Sequence, residues 1–186
     1  METFTYDEIK SLIQQHEGIH STAYKDSRGI WTVGIGFNLE RPDARAIFKQ
    51  LNLDYDKVFK KQISLTPEQI VALFTVSLKI ATQDAKKFMP SFDTLPKNVK
   101  MVLVDLSFNL GYSRLSKFVK TKQFIEQGNF KEAAQELLRS KWATQVGNRA
   151  KNLYQLLSSA GPSSFSAISP KPHSPDQGQY QVSPPL

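Results

Sequence analysis

The chain is 186 residues long, 40% hydrophobic and 11% aromatic, and its 24 Lys+Arg against 17 Asp+Glu give a formal net charge of +7. That size suits one domain, or one domain with an appendage. With no cysteine, a disulfide scaffold, a thiol nucleophile and any Cys-ligated metal site are excluded, and the three scattered histidines (His16, His20, His173) offer no metal cluster.

Tyr6 to Glu17 reads as a helix. Ile9, Leu12, Ile13 and His16 recur at 3.6-residue spacing, Thr5 can cap it with Glu8 three residues on, and Gly18 can close it. Tyr24 to Gly29 looks like a turn, with Asp26 at its first position and Gly29 at its fourth. Ile30 to Phe37 alternates as a strand: Trp31, Val33, Ile35 and Phe37 on one face, Ile30, Thr32, Gly34 and Gly36 on the other. Helical periodicity then dominates, over Pro42–Leu51, Pro67–Phe88 with Thr66 as cap, Pro96–Leu110, and around 117–127, 130–140 and 148–159. The fold class is therefore α+β, mostly α: a small hairpin lobe followed by a helical bundle.

Composition shifts at Gly161. The segment 161–186 holds six of the ten prolines and six serines, too little apolar surface to offset its ordering entropy. A domain over 1–160 and a disordered tail over 161–186 are expected. Charge is uneven as well: residues 1–60 carry 8 basic and 9 acidic groups, residues 61–160 carry 15 and 7. No apolar run reaches the roughly 18 residues of a membrane helix, so membrane insertion is not expected. The start from Met1 to Glu8 lacks the basic-then-apolar plan of a secretory signal, which points to synthesis in the cytoplasm without a classical leader.

Three polar residues invite a functional reading. Glu17 closes the first helix, where the negative end of the dipole disfavours its charge; it is either an indifferent surface acid or a proton donor. Asp26 is explained by turn capping alone. Thr32 shares a strand face with Gly34 and Gly36, and alternate glycines mark either tight helix packing or a substrate floor. In a two-residue hairpin Asp26 would pair with Gly29 and fall on the face opposite Thr32. A bulge at Gly29 would bring the two together.

Glu17-Gly18, Ala23-Tyr24-Lys25-Asp26, Gly29 and Trp31-Thr32-Val33-Gly34-Ile35-Gly36 resemble the signature of the bacteriophage-type lysozymes, glycoside hydrolase family 24. The family's catalytic Glu, Asp and Thr match Glu17, Asp26 and Thr32 in spacing. Phe108-Asn109-Leu110-Gly111 with Leu115 and Phe118, and Ser140-Lys141-Trp142 with Gln145 and Asn148-Arg149-Ala150, extend the likeness to about residue 160. The resemblance implies a two-lobed lysozyme-like fold and hydrolysis of the β-1,4 bond between N-acetylmuramic acid and N-acetylglucosamine. It assigns Gly36, Phe108, Asn109, Gln145 and Arg149 to the substrate-binding side, with Arg149 paired to Glu17 and Trp142 in the core. It implies inversion, no metal or organic cofactor, peptidoglycan strands as partner, a monomer, and action in the periplasm or cell wall. Phe37 departs from the pattern, since well-known members carry His there. A host-lysis enzyme, an exported antibacterial effector and a catalytically silent wall-binding domain all fit that likeness. Nucleic acid is not an expected partner: the nine basic and three acidic residues from Arg114 to Lys151 lack an aromatic-interleaved stripe.

Overall fold

A computed structural model describes residues 2–160; the Pro/Ser-rich segment 161–186, expected to be disordered, lies outside the described residues. Helix α1 (Tyr6–Glu17) opens with the anticipated capping box, Thr5 Oγ1 accepting from Glu8 N at 3.1 Å and Thr5 N donating to Glu8 Oε2 at 2.7 Å. It buries Ile9 and Ile13 and ends on Glu17. A three-stranded antiparallel sheet follows in the order β1 (His20–Lys25), β2 (Trp31–Gly34), β3 (Phe37–Asn38).

The expected single strand from Ile30 to Phe37 is broken. Val33 pairs with Phe37 and Thr32 with Asn38, so Gly34, Ile35 and Gly36 form the turn of a second hairpin. Both glycines have positive φ, +66° and +63°, a region ordinary residues enter only at a cost. An alternating pattern extends unchanged through a tight turn when the turn residues are themselves Gly and one apolar side chain, which is why periodicity missed the reversal.

Helices α2 (Ala44–Gln50), α3 (Tyr55–Phe59) and α4 (Pro67–Phe88) come next. After a 3-10 turn at Phe92–Thr94 the chain enters α5 (Lys97–Leu115), then α6 (Val119–Glu126), α7 (Phe130–Leu138), α8 (Lys141–Val146) and α9 (Asn148–Ser158). Neither α3 nor α8 was anticipated; at 5 and 6 residues they are too short for a period to show. Helix α5 runs past the expected end at Leu110, interrupted at Gly111, whose φ of 70° and ψ of 165° are not helical. Its first part is buried on every side, from Val99 through Ser107, as befits the central helix of a bundle. Around it pack α4, α9 and α1, while α4 also covers the sheet. Among the described residues no helix is long and apolar enough to cross a membrane.

Candidate active site

The end of α1 places Glu17 beside a residue 132 positions away. Arg149, in the first turn of α9, donates from Nη1 to Glu17 Oε1 at 2.6 Å. A carboxylate at a helix C-terminus lacks favourable backbone partners, and this guanidinium supplies the opposite charge. Arg149 is only 7% exposed, and it also donates from Nε to Asp105 Oδ1 at 2.8 Å. Burial works against the charged guanidinium, but the neighbouring Asp105 and Glu17 outweigh it and hold its proton above the ordinary arginine range. Asp105 is fully buried on α5, and its second oxygen lies 3.0 Å from His16 Nδ1. His16 Nε2 in turn lies 3.2 Å from Asn152 Nδ2 on α9.

Gly36 makes room for the acid. A Cβ placed there would sit 2.6 Å from Glu17 Cδ and 2.7 Å from Oε2. Gly34, by contrast, meets Ile70 and Leu73 of α4 at 3.7 and 3.9 Å. Of the two readings of the alternate glycines, helix packing holds at Gly34, whereas at Gly36 the group that approaches closely is the Glu17 side chain at the cleft wall.

The first hairpin resolves the face problem. Asp26 N donates to Ile30 O at 2.9 Å and Gly29 N to Asp26 O at 2.9 Å, with Gly29 at φ +78°. This is a turn closed by a bulge at Gly29, so Asp26 lies opposite Ile30 rather than Gly29. Lys25 then pairs with Trp31 and Tyr24 with Thr32, which puts Tyr24, Asp26 and Thr32 on one face. The carboxylate of Asp26 accepts from Arg28 N at 2.8 Å and Ile30 N at 3.0 Å through Oδ1, and from Arg28 Nη2 at 3.2 Å through Oδ2. Thr32 Oγ1, on a residue 4% exposed, donates to Ile30 O at 2.9 Å. Tyr24 feels both carboxylates: burial first, then the charges of Glu17 and Asp26, push its hydroxyl above the ordinary tyrosine range.

A cleft of about 710 Å³ runs beside this corner, lined by Glu17 and Gly36 on one side and by Ser107, Phe108 and Asn109 on the other. Arg28 and Ile30, the hydrogen-bond partners of Asp26, border it; Asp26 and Thr32 are not among its lining residues. Gln145 lies instead in a second hollow of about 710 Å³ with Trp142, Phe118, Lys117 and Lys120, and the two share Leu110 and Arg114. Asn109 joins them, its Oδ1 accepting from Trp142 Nε1 at 2.8 Å. Arg149, grouped with the substrate-binding residues by resemblance, is buried and occupied by Glu17 and Asp105, so its geometry is that of a residue holding the acid. Among the described residues no group of His, Cys, Asp and Glu is placed to hold a metal ion.

Sequence reasoning missed Asp105, His16 as a polar partner, Asn152 and Asp84. Asp84 lines the cleft, and burial raises its carboxyl above the ordinary aspartate range against the pull of Lys87 and Arg41. A signal for Asp105 was present. It interrupts the apolar run Val102-Leu103-Val104-Asp105-Leu106, where an ionised side chain is costly unless paired.

The sequence model of the phage lysozyme family matches residues 14–157, which include Glu17, Asp26, Thr32 and Arg149. The chain is similar to two proteins of Dictyostelium discoideum. It is 27% identical over 158 residues to "Probable T4-type lysozyme 1", covering 80% of this chain and 92% of that protein. To "Probable T4-type lysozyme 2" it is 29% identical over 150 residues, covering 76% and 88%. It is also 28% identical over 132 residues to "Peptidoglycan hydrolase gp36" of Enterobacteria phage SP6, covering 71% of this chain but 13% of that longer protein. With a helix-end glutamate, a bulged hairpin and a helical bundle all inside the matched span, the chain belongs to the phage lysozyme family.

Proposed function

We propose that the protein is a muramidase that hydrolyses the β-1,4 bond between N-acetylmuramic acid and N-acetylglucosamine in peptidoglycan, and that it serves host-cell lysis. The observation that carries this reading is the Glu17 carboxylate pinned by Arg149 over Gly36 at the wall of the cleft. Similarity to proteins named as lysozymes and as a peptidoglycan hydrolase supports it.

In this mechanism Glu17 protonates the leaving glycosidic oxygen. Asp26 and Thr32, on one face of the first hairpin, hold a water on the opposite side of the sugar, with Asp26 as base or electrostatic support. Inversion requires the two carboxyl groups to stand roughly 6.5–9.5 Å apart, so that a water fits between them. Acid–base chemistry of this kind is carried by side chains and calls for no cofactor.

Two variants test it cleanly. Wild-type protein should release reducing ends from purified peptidoglycan and clear chloroform-treated Gram-negative cells. Glu17→Gln should fold and lose about 10²–10⁴-fold in rate, the usual worth of a general acid. Asp26→Asn keeps an oxygen to accept from Arg28 N and Ile30 N, so a loss of rate without a loss of melting temperature would separate its chemistry from its turn capping. Full activity in folded Glu17→Gln would overturn the assignment.

A further inference from the structure

We propose that His16 is a positioning residue for the acid Glu17, acting through Asp105 and Arg149 to set how tightly Glu17 holds its proton. The proposal rests on the muramidase reading for its kinetic consequence, although the charge coupling itself is a property of the fold.

The starting point is an imbalance. One guanidinium, Arg149, serves two carboxylates, Glu17 through Nη1 at 2.6 Å and Asp105 through Nε at 2.8 Å. Asp105 is wholly buried, so its charge needs partners beyond half an arginine. His16 provides the other. Its side chain is 4% exposed, and its Nδ1 lies 3.0 Å from Asp105 Oδ2.

The partners dictate the protons on the ring. An ionised carboxylate only accepts, so Nδ1 carries hydrogen in either charge state of His16. On the other side Asn152 presents Nδ2, a donor, to Nε2, which suits the neutral ring. Turned over, the same amide presents its oxygen and accepts from the imidazolium. The site can therefore hold His16 in both charge states without stranding a buried polar atom. Among the described residues, the charged and titratable groups along this chain are Asp105 on α5, Arg149 on α9, Glu17 on α1 and, facing Glu17, Tyr24 on β1, which also feels Asp26.

The consequence follows from competition for Arg149. Whatever satisfies Asp105 from the His16 side releases guanidinium charge toward Glu17, favours its ionised form and leaves less of the protonated carboxyl that can donate. Whatever leaves Asp105 dependent on Arg149 alone does the reverse. Because the groups are coupled, the effect is reciprocal, and a change at Glu17 must be felt at His16.

The test has a kinetic arm and a spectroscopic arm. The alkaline limb of kcat/KM reports loss of the acid's proton. In Asp105→Asn this limb should move to lower pH by about one pH unit, the scale of a neighbouring charge, and in His16→Leu to higher pH by a smaller step, the loss of one hydrogen bond to Asp105. His16→Asn keeps an N–H toward Asp105 and should return the limb to its wild-type position. In the second arm, the ring nitrogens of His16 are followed by NMR in wild type and in Glu17→Gln. With Glu17 uncharged, Arg149 turns to Asp105, and the His16 titration midpoint should fall. Limbs that stay put or move in the same direction, or a midpoint unchanged in Glu17→Gln, would overturn the proposal. If His16→Leu does not fold, the midpoint decides. If wild type cleaves no peptidoglycan, the muramidase reading fails while the NMR arm still decides the coupling.

Discussion

At the scale of single residues, Gly36 meets two demands where Gly29 meets one. Its φ of +63° disfavours any side chain, and an added Cβ would meet Glu17 Cδ at 2.6 Å. Gly29 shares the first constraint at φ +78° but has nothing within 4 Å of an added Cβ. Both Gly36→Ala and Gly29→Ala should lower stability by about 1–2 kcal/mol for the left-handed conformation. Only Gly36→Ala must also push the Glu17 carboxylate aside. A displacement of about 1 Å at the reacting group can cost about 10²-fold in rate, so that variant should lose activity well beyond its fall in melting temperature. Melting curves and kcat/KM for the pair check this directly, and equal activities would show that the carboxylate has room to move.

At the scale of elements, α1 is joined to α5 at its outer end as well as through the buried chain at its inner one. Lys97 Nζ lies 2.7 Å from Glu8 Oε1, on the residue that also completes the capping box. The hydrogen bond from Lys97, followed by that from Thr5, holds the Glu8 carboxyl below the usual glutamate range. The same Glu8 bond raises Lys97 above the usual lysine range. A carboxyl depressed on folding contributes stability above its unfolded value and loses it as pH falls through the folded one. A raised ammonium contributes below its unfolded value and loses it as pH rises through the folded one. The melting-temperature difference between wild type and Lys97→Met should therefore be constant across neutral pH and close toward zero in acid, as Glu8 protonates. Both groups remain partly open to solvent, so the difference will be modest. A difference that persisted at pH 2 would assign it to packing of the lysine stem.

At the scale of the whole molecule, the basic excess gathers on the helical side. Arg114, Lys117, Lys120 and Lys141 border the second hollow against a single acid, Glu136. Lys122 belongs elsewhere, within 3.9 Å of Glu126 and over the ring of Phe88. If the protein is the proposed muramidase and this face steers it to an anionic wall, lysis of permeabilised cells should fall steeply with salt, as the Debye length shrinks from about 10 Å at 0.1 M to about 3 Å at 1 M. Turnover of a short soluble muropeptide should change little. Replacing Lys117, Lys120 and Lys141 together by Glu should mimic high salt on cells and leave the soluble substrate unaffected. Equal salt sensitivity on both substrates would return the basic face to a solvated surface without a steering role.

What the sequence determined by itself is what local chemistry dictates. Thr5 with Glu8 and Thr66 with Gln69 cap helices through bonds three residues apart, and Asp26 to Gly29 makes its turn within four residues. These interactions read the same in any fold, so α1, α4 and the first hairpin were legible, and Glu17 could be placed at a helix end before any packing was known. The match of Glu17, Asp26 and Thr32 to a known spacing rested on the same local order. Only the tertiary structure decided that Gly36 lies under Glu17, that Arg149 reaches it from α9, and that Asp105 and His16 complete the chain behind it. Those partners stand on three helices far apart in sequence. An isolated His on an apolar helix face or an Asp in an apolar run acquires its meaning when burial removes water and leaves each charge to find its counterpart in the packed core.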